Sequence, residues 1–107
     1  MSSTNLATTF PEDLKLVQAV ISEDIGHYRI IIDKNSQFIT ELVTKQIYGA
    51  DKVLQVVEDI FIKGFLFLRN YSGEIPFKAW LSVLAFDSVK NFYTSLESNE
   101  ISIEQKD

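Results

Sequence analysis

The chain has 107 residues, of which 46% are hydrophobic and 23% charged, and it has no cysteine. This length fits one globular domain, and the lack of cysteine excludes disulfides, thiolate metal ligands and a cysteine nucleophile. Ten basic against fifteen acidic residues give a net charge of −5, which argues against independent binding to duplex nucleic acid, where phosphate neutralisation supplies much of the affinity. The apolar runs are too short to span a bilayer and the first residues lack a secretion signal, so we expect a cytoplasmic protein.

The first half of the chain predicts a tail and two helices. Residues 1–10 are rich in serine, threonine and asparagine, and we expect a flexible tail. A proline followed by two carboxylates then predicts a short helix over about 11–22. An apolar stripe at period 3.6 predicts a second helix that is capped by Ser22 or Asp24 and runs up to Gly49. Weak helix formers near its centre leave a kink or a break as an open alternative.

The second half predicts two longer helices and a second tail. Apolar residues at i, i+3, i+4 spacing between Val53 and Leu68 predict the third helix, and a broad stripe from Phe77 to Leu96 predicts the fourth. The turn-forming residues between them predict a loop. Residues 97–107 carry four acids and one lysine, which predicts a solvated acidic tail. The expected fold class is therefore all-α, a compact bundle of about four helices over residues 11–96.

The residues that enzymes use are scarce in this chain. Asp24 and His27 have the i, i+3 spacing of two metal ligands, but a di-iron bundle needs a second such pair, and the only histidine is His27. Glu58 and Asp59 are neighbours and point about 100° apart on a helix, so they do not share a catalytic site. No glycine-rich phosphate loop occurs. We therefore expect neither an enzyme nor a metal or cofactor site.

Three segments of the sequence, taken together, resemble a known family. The acidic segment Gln55-Val-Val-Glu-Asp-Ile-Phe-Ile-Lys63 precedes Tyr71-Ser-Gly-Glu-Ile-Pro-Phe-Lys-Ala-Trp-Leu81, and Lys90-Asn91-Phe92 follows. Together they resemble region 2 of sigma-70 family transcription initiation factors, closest to the extracytoplasmic-function group. The resemblance covers about residues 11–95. Autonomous members also carry a C-terminal helix-turn-helix domain, which this chain lacks, so we expect an excised domain or a protein made of one domain.

The resemblance implies a polymerase-binding surface on the third helix. In the family this helix docks on the clamp coiled coil of the largest subunit of core RNA polymerase. Acidic side chains that face a basic coiled coil favour rapid and specific association. The residues that would form the polymerase-binding surface here are Gln55, Val56, Glu58, Asp59, Ile62 and Lys63.

The resemblance also implies contact with promoter DNA. In the family the fourth helix and the loop before it bind the minus-ten element as single-stranded DNA, with one base held outside the stack. The family positions also imply that Trp80 packs in the core. Arginine and asparagine are usual in the family where this chain has Val83 and Asp87, and the net charge of residues 78–96 is only +1. The residues that would bind DNA are Ser72, Gly73, Glu74, Lys78, Asp87, Lys90 and Asn91.

Three functions therefore stay open. The first is a transcription initiation domain that binds core RNA polymerase and single-stranded promoter DNA, with a separate helix-turn-helix subunit for upstream recognition. The second is a degenerate sigma-like interaction module, a regulator or competitor that binds no DNA and has an anti-sigma factor or another regulator as partner. The third is a helical protein that self-associates through surplus aromatic residues, namely Phe65, Phe67, Phe86 and Tyr93. No membrane partner is expected.

Overall fold

The computed structural model of the chain describes the backbone of residues 9–106 and the side chains of residues 9–97. Within these residues the chain forms α1 (Pro11–Ser22), α2 (Tyr28–Thr44), α3 (Ala50–Leu66) and α4 (Phe77–Lys106). The prediction of an all-α bundle is confirmed for this part of the chain. None of these helices combines the length and the apolar character needed to cross a membrane.

The link between α1 and α2 is a single 3₁₀ turn at Ile25–His27. The Asp24 carboxylate accepts a hydrogen bond from the Gly26 N–H at 2.8 Å, which caps this turn. The Ser22 hydroxyl instead donates back to the Gln18 carbonyl within α1. Of the two predicted caps, Asp24 therefore starts the segment that leads into α2.

The second helix is continuous but shorter than predicted. Its central Asn35 is buried, and the side-chain amide donates to the Ile31 carbonyl at 2.8 Å, so this polar residue is accommodated without a break. The helix ends at Thr44, and Ile47 still packs in the core from the connection that follows. Gly49 then adopts a φ of +106°, a left-handed conformation that favours glycine, immediately before α3.

The core lies where α3 packs between α2 and α4. Gly64 allows this close approach, since a Cβ at that position would lie 2.8 Å from the Tyr28 hydroxyl and 3.1 Å from Leu81 Cδ2. The same hydroxyl donates to the Phe61 carbonyl at 2.5 Å, and burial raises the pKa of Tyr28. The largest fully buried side chains are Ile31, Ile39, Ile60, Leu81, Val17, Val20 and Val43.

The predicted tails differ from the structure at both ends. The fourth helix continues to Lys106, through the segment for which composition predicts an acidic tail, because nothing there is a glycine or proline that would stop a helix. At the other end, Thr9 and Phe10 are hydrogen-bonded to the Gly73 carbonyl. The rest of the predicted N-terminal tail, residues 1–8, and Asp107 lie outside the described residues.

Candidate functional site

The outward side of α3 presents a surface that is more apolar than the sequence suggests. Three residues of the predicted polymerase-binding surface are exposed there, namely Gln55, Glu58 and Ile62. Leu54 and Leu66 join them, and the exposed fractions of Ile62 and Leu66 are 58% and 68%. We call these five residues the α3 outer face. It contains one carboxylate among three large aliphatic side chains, so it favours a partner with an apolar centre.

One predicted polymerase-binding residue is not on the surface at all. Val56 is only 5% exposed and belongs to the core. Helical periodicity places it on the inward side of α3, with Val53 and Ile60. The assignment of Val56 to a partner surface is therefore wrong, because another protein cannot reach its side chain.

Asp59 and Lys63 do not lie on the α3 outer face, because their side chains contact residues of α4. The Lys63 ammonium lies 3.1 Å from an Asp59 carboxylate oxygen and 3.6 Å from one of Asp87. It donates to the hydroxyl of the buried Ser88, and that hydroxyl donates to Asp59. We call these four residues the α3–α4 polar cluster. One cation is shared by two carboxylates, so the cluster carries a net charge of −1 and Lys63 is already paired.

Four of the seven predicted DNA-binding residues lie on α4. Lys78, Asp87, Lys90 and Asn91 are all exposed. The Lys78 ammonium lies 5.1 Å from the centre of the Phe38 ring, within cation–π distance. These four residues therefore share one helix but not one face, because at 100° per residue Lys78 lies about 180° from Asp87 and about 120° from Lys90.

Two exposed apolar residues of α4 were not predicted to bind DNA, although Phe86 was among the aromatic residues considered for self-association. Val83 and Phe86 are 62% and 59% exposed. Phe86 lies one helical turn before Lys90, the spacing at which an aromatic ring and a cation share a face. The only signal in the sequence is that Phe86 falls off the apolar stripe of α4.

The loop between α3 and α4 is held by its backbone. The Gly73 carbonyl accepts hydrogen bonds from the Thr9 and Phe10 N–H groups at 3.0 and 2.9 Å, and the glycine has a φ of +83°. Gly73 is buried, whereas its neighbours Ser72 and Glu74 are exposed. The side chains of Ser72 and Glu74 therefore lie on the surface, while Gly73 forms the turn and is buried.

Three aromatic rings pack beneath this loop. The Tyr71 ring lies 5.1 Å from that of Phe77 and 5.7 Å from that of Trp80, both edge-on. The Tyr71 hydroxyl donates to the Ile75 carbonyl at 2.6 Å. Burial raises the pKa of Tyr71 to about 12, and the nearby Asp13 carboxylate adds to the rise. Trp80 packs against the core, which confirms the prediction that it is a packing residue.

An apolar groove runs between α2 and α3. Tyr28 and Ile32 line one side and Phe61, Ile62 and Phe65 the other, around a volume of about 570 Å³. Because Ile62 belongs to both, the groove continues the α3 outer face. We call this the α2–α3 groove.

The structure offers no chemistry for a metal site in the part of the chain that it describes. No three histidine, aspartate or glutamate side chains there are placed to hold an ion. Asp24 and His27, the pair with metal-ligand spacing, are separated by 3.6 Å between an Asp24 oxygen and His27 Nδ1; the Asp24 side chain is exposed and that of His27 is partly exposed.

Comparisons with known proteins identify sigma factors as relatives. The chain is 28% identical over 83 residues to the RNA polymerase sigma-H factor of Pseudomonas aeruginosa. It is 26% identical over 83 residues to the ECF RNA polymerase sigma-E factor of Haemophilus influenzae, and 28% identical over 80 residues to that of Escherichia coli. These matches cover 75–78% of this chain but only 41–43% of each relative. No family model matches the chain. The chain is thus similar to part of an extracytoplasmic-function sigma factor, which confirms the resemblance that its motifs indicate.

Proposed function

We propose that this chain is a sigma region 2-like domain that binds core RNA polymerase through the α3 outer face and the adjoining α2–α3 groove. The observation that carries the proposal is the exposure of Ile62 and Leu66 on the helix whose motif resembles the polymerase-binding helix of sigma factors. The similarity to named RNA polymerase sigma factors over three-quarters of the chain supports it.

Apolar burial would supply most of the affinity of such an interface. Complete burial of an isoleucine or leucine side chain contributes roughly 1.5–3 kcal/mol. A rim ion pair such as one made by Glu58 contributes about 0–1 kcal/mol and is screened by salt. We therefore assign Ile62 and Leu66 the larger share of the binding energy, while Glu58 increases the association rate with a basic coiled coil.

The same proposal gives α4 and the loop before it a contact with single-stranded promoter DNA. Phe86 offers a ring on which an unstacked base can lie, and Lys90 offers a charge for the adjacent phosphate. Asp87 and Glu74 oppose that attraction. DNA contact by this domain is accordingly weak alone and depends on the polymerase to hold the strand against α4.

A pair of substitutions with matched chemistry tests the two surfaces separately. Ile62→Asp and Val83→Asp each place a carboxylate at a valine or isoleucine position that is about 60% exposed, one on α3 and one on α4. Neither residue is in the core, so both variants should fold. Binding is measured to core RNA polymerase and to its isolated clamp helices, and by fluorescence anisotropy to a labelled single-stranded DNA of randomised sequence.

We expect each substitution to impair one interaction and to leave the other unchanged. Ile62→Asp weakens binding to the clamp helices at least about tenfold, as for a residue at the centre of an interface, and leaves DNA binding unchanged. Val83→Asp leaves clamp binding unchanged and weakens DNA binding. If the wild-type chain binds neither the polymerase nor its clamp helices, the proposal fails.

The α3–α4 polar cluster favours a second candidate function, an interaction module that binds polymerase but no DNA. Asp87 lies in the candidate DNA surface, and Lys63 is paired to it and to Asp59, so few free cations face a phosphate there. Clamp binding by the wild-type chain, with no DNA binding at low salt in the presence or absence of polymerase, would establish this second function.

A further inference from the structure

The segment that begins α1 is tied to the candidate DNA-binding loop by three hydrogen bonds. The Thr9 and Phe10 N–H groups donate to the Gly73 carbonyl in the middle of the loop. At the end of the loop, the Phe77 N–H donates to the Asp13 carboxylate at 2.9 Å, across 64 positions of sequence. The loop is therefore held from outside, by residues that do not belong to α3 or α4.

Asp13 supplies the N-terminal cap that the start of α4 lacks among its own residues. The residue before Phe77 is Pro76, which has no side-chain oxygen to accept a hydrogen bond from the first helical N–H groups. The Asp13 carboxylate, which belongs to α1, accepts this hydrogen bond instead. It also lies in the first turn of α1, so its negative charge is favoured by the positive ends of two helices.

The position of Phe77 governs the shape of the loop. Its ring packs edge-on against Tyr71, at the other end of the loop, and at a tilt of 37° against Trp80, one turn into α4. The Tyr71 hydroxyl closes the loop by donating to the Ile75 carbonyl. If Phe77 loses its hydrogen bond to Asp13, the first turn of α4 frays and this packing loosens.

We propose that Asp13 is a positioning residue for DNA binding, which holds the loop of residues 71–76 and the first turn of α4 in the conformation that contacts single-stranded DNA. The proposal rests on the proposed contact of this loop with single-stranded DNA. Asp13 itself does not touch the DNA. If the loop adopts the DNA-binding conformation in only a fraction of the molecules, the apparent affinity for DNA falls in proportion to that fraction.

Three variants with the same change of charge test this inference. Asp13→Ala removes the acceptor, Asp13→Asn keeps an acceptor oxygen, and Glu12→Ala removes an exposed carboxylate at the preceding position. Each loses one negative charge, so any general gain in attraction to DNA is common to all three. Anisotropy with the labelled single-stranded DNA gives the affinity, and binding to the clamp helices reports the integrity of the α3 outer face. All measurements are made below the unfolding transition of each variant, as judged by circular dichroism.

The only tryptophan of the chain, Trp80, reports directly on the loop. We expect Asp13→Ala to bind DNA about fivefold more weakly, the effect of losing one helix cap, and to show a red-shifted Trp80 emission with unchanged clamp binding. Asp13→Asn and Glu12→Ala should match the wild type in both respects.

Equal DNA affinity in all three variants would overturn the inference and leave the proposed DNA contact intact. Weaker binding of Asp13→Ala without a change in Trp80 emission would overturn it as well, because the loss would then arise elsewhere. Absence of DNA binding by the wild-type chain at low salt, both alone and in the presence of polymerase, would overturn the DNA contact and this inference together.

Discussion

Substitution of Gly64 by alanine tests whether α3 approaches its neighbours as closely as the structure indicates. The added Cβ would lie 2.8 Å from the Tyr28 hydroxyl and 3.1 Å from Leu81 Cδ2. The first distance is too short for any carbon–oxygen contact, so Tyr28 must move. When it moves, it gives up its hydrogen bond to the Phe61 carbonyl.

The expected change in the free energy of unfolding is the sum of opposing contributions. Overpacking of a core costs about 1–3 kcal/mol, and the loss of the Tyr28 hydrogen bond costs about 1 kcal/mol more. Replacing glycine by alanine inside a helix returns about 1 kcal/mol. We therefore expect Gly64→Ala to lower the free energy of unfolding by roughly 1–3 kcal/mol.

A double-mutant cycle with Tyr28→Phe checks the cause. This second substitution removes the hydroxyl that the new methyl group would meet and leaves the ring in place. Urea unfolding is followed by Trp80 fluorescence for the four proteins of the cycle. We expect Gly64→Ala to cost little in the Tyr28→Phe background, with a coupling energy of about 1–2 kcal/mol. If Gly64→Ala costs the same in both backgrounds, or stabilises the wild type, the close packing of α3 on α2 is refuted.

Two further predictions concern charge and pH. Asp87→Asn removes a carboxylate from the candidate DNA surface and should tighten single-stranded DNA binding roughly threefold at low salt, with less gain at high salt; the same gain from Asp33→Asn on α2 would show that only net charge matters. Burial raises the pKa of Tyr71 from 10.0 to about 12 and raises that of Tyr28 as well. The folded state keeps both phenols neutral while the unfolded chain ionises near pH 10, so the free energy of unfolding should fall as the pH rises from 10 towards 12. Urea unfolding over this range measures the fall, which Tyr71→Phe should reduce; an undiminished fall would show that Tyr71 does not contribute.

The helical class and most helix positions could be predicted from the sequence because they depend on local periodicity. The apolar stripes identify the buried side of each helix whatever its partner is. The end of α2 could not be predicted in this way, since Ile47 is buried by tertiary packing and continues the stripe beyond the last helical residue. The length of α4 was underestimated because an acidic composition predicts solvation and does not by itself end a helix.

The candidate surfaces were predicted less well than the fold. Motif resemblance indicated a surface on α3, but it grouped Val56 with Glu58 without regard to which side of the helix each occupies. It also could not indicate that Asp59 and Lys63 are engaged by Ser88, which is 25 or more positions away along the chain. The sequence shows that Phe86 lies off the apolar stripe of α4, but only the structure shows that Phe86 and Lys90 are both exposed.

The sequence by itself determined that the chain is acidic, free of cysteine and helical, because composition and helical period are local properties; its motifs resemble those of sigma region 2. Only the tertiary structure decided which acids are free to meet a partner. Contacts between distant residues, such as Asp13 with Phe77 and Lys63 with Asp87, depend on how the helices cross. That crossing is set by core packing, and no local pattern encodes it.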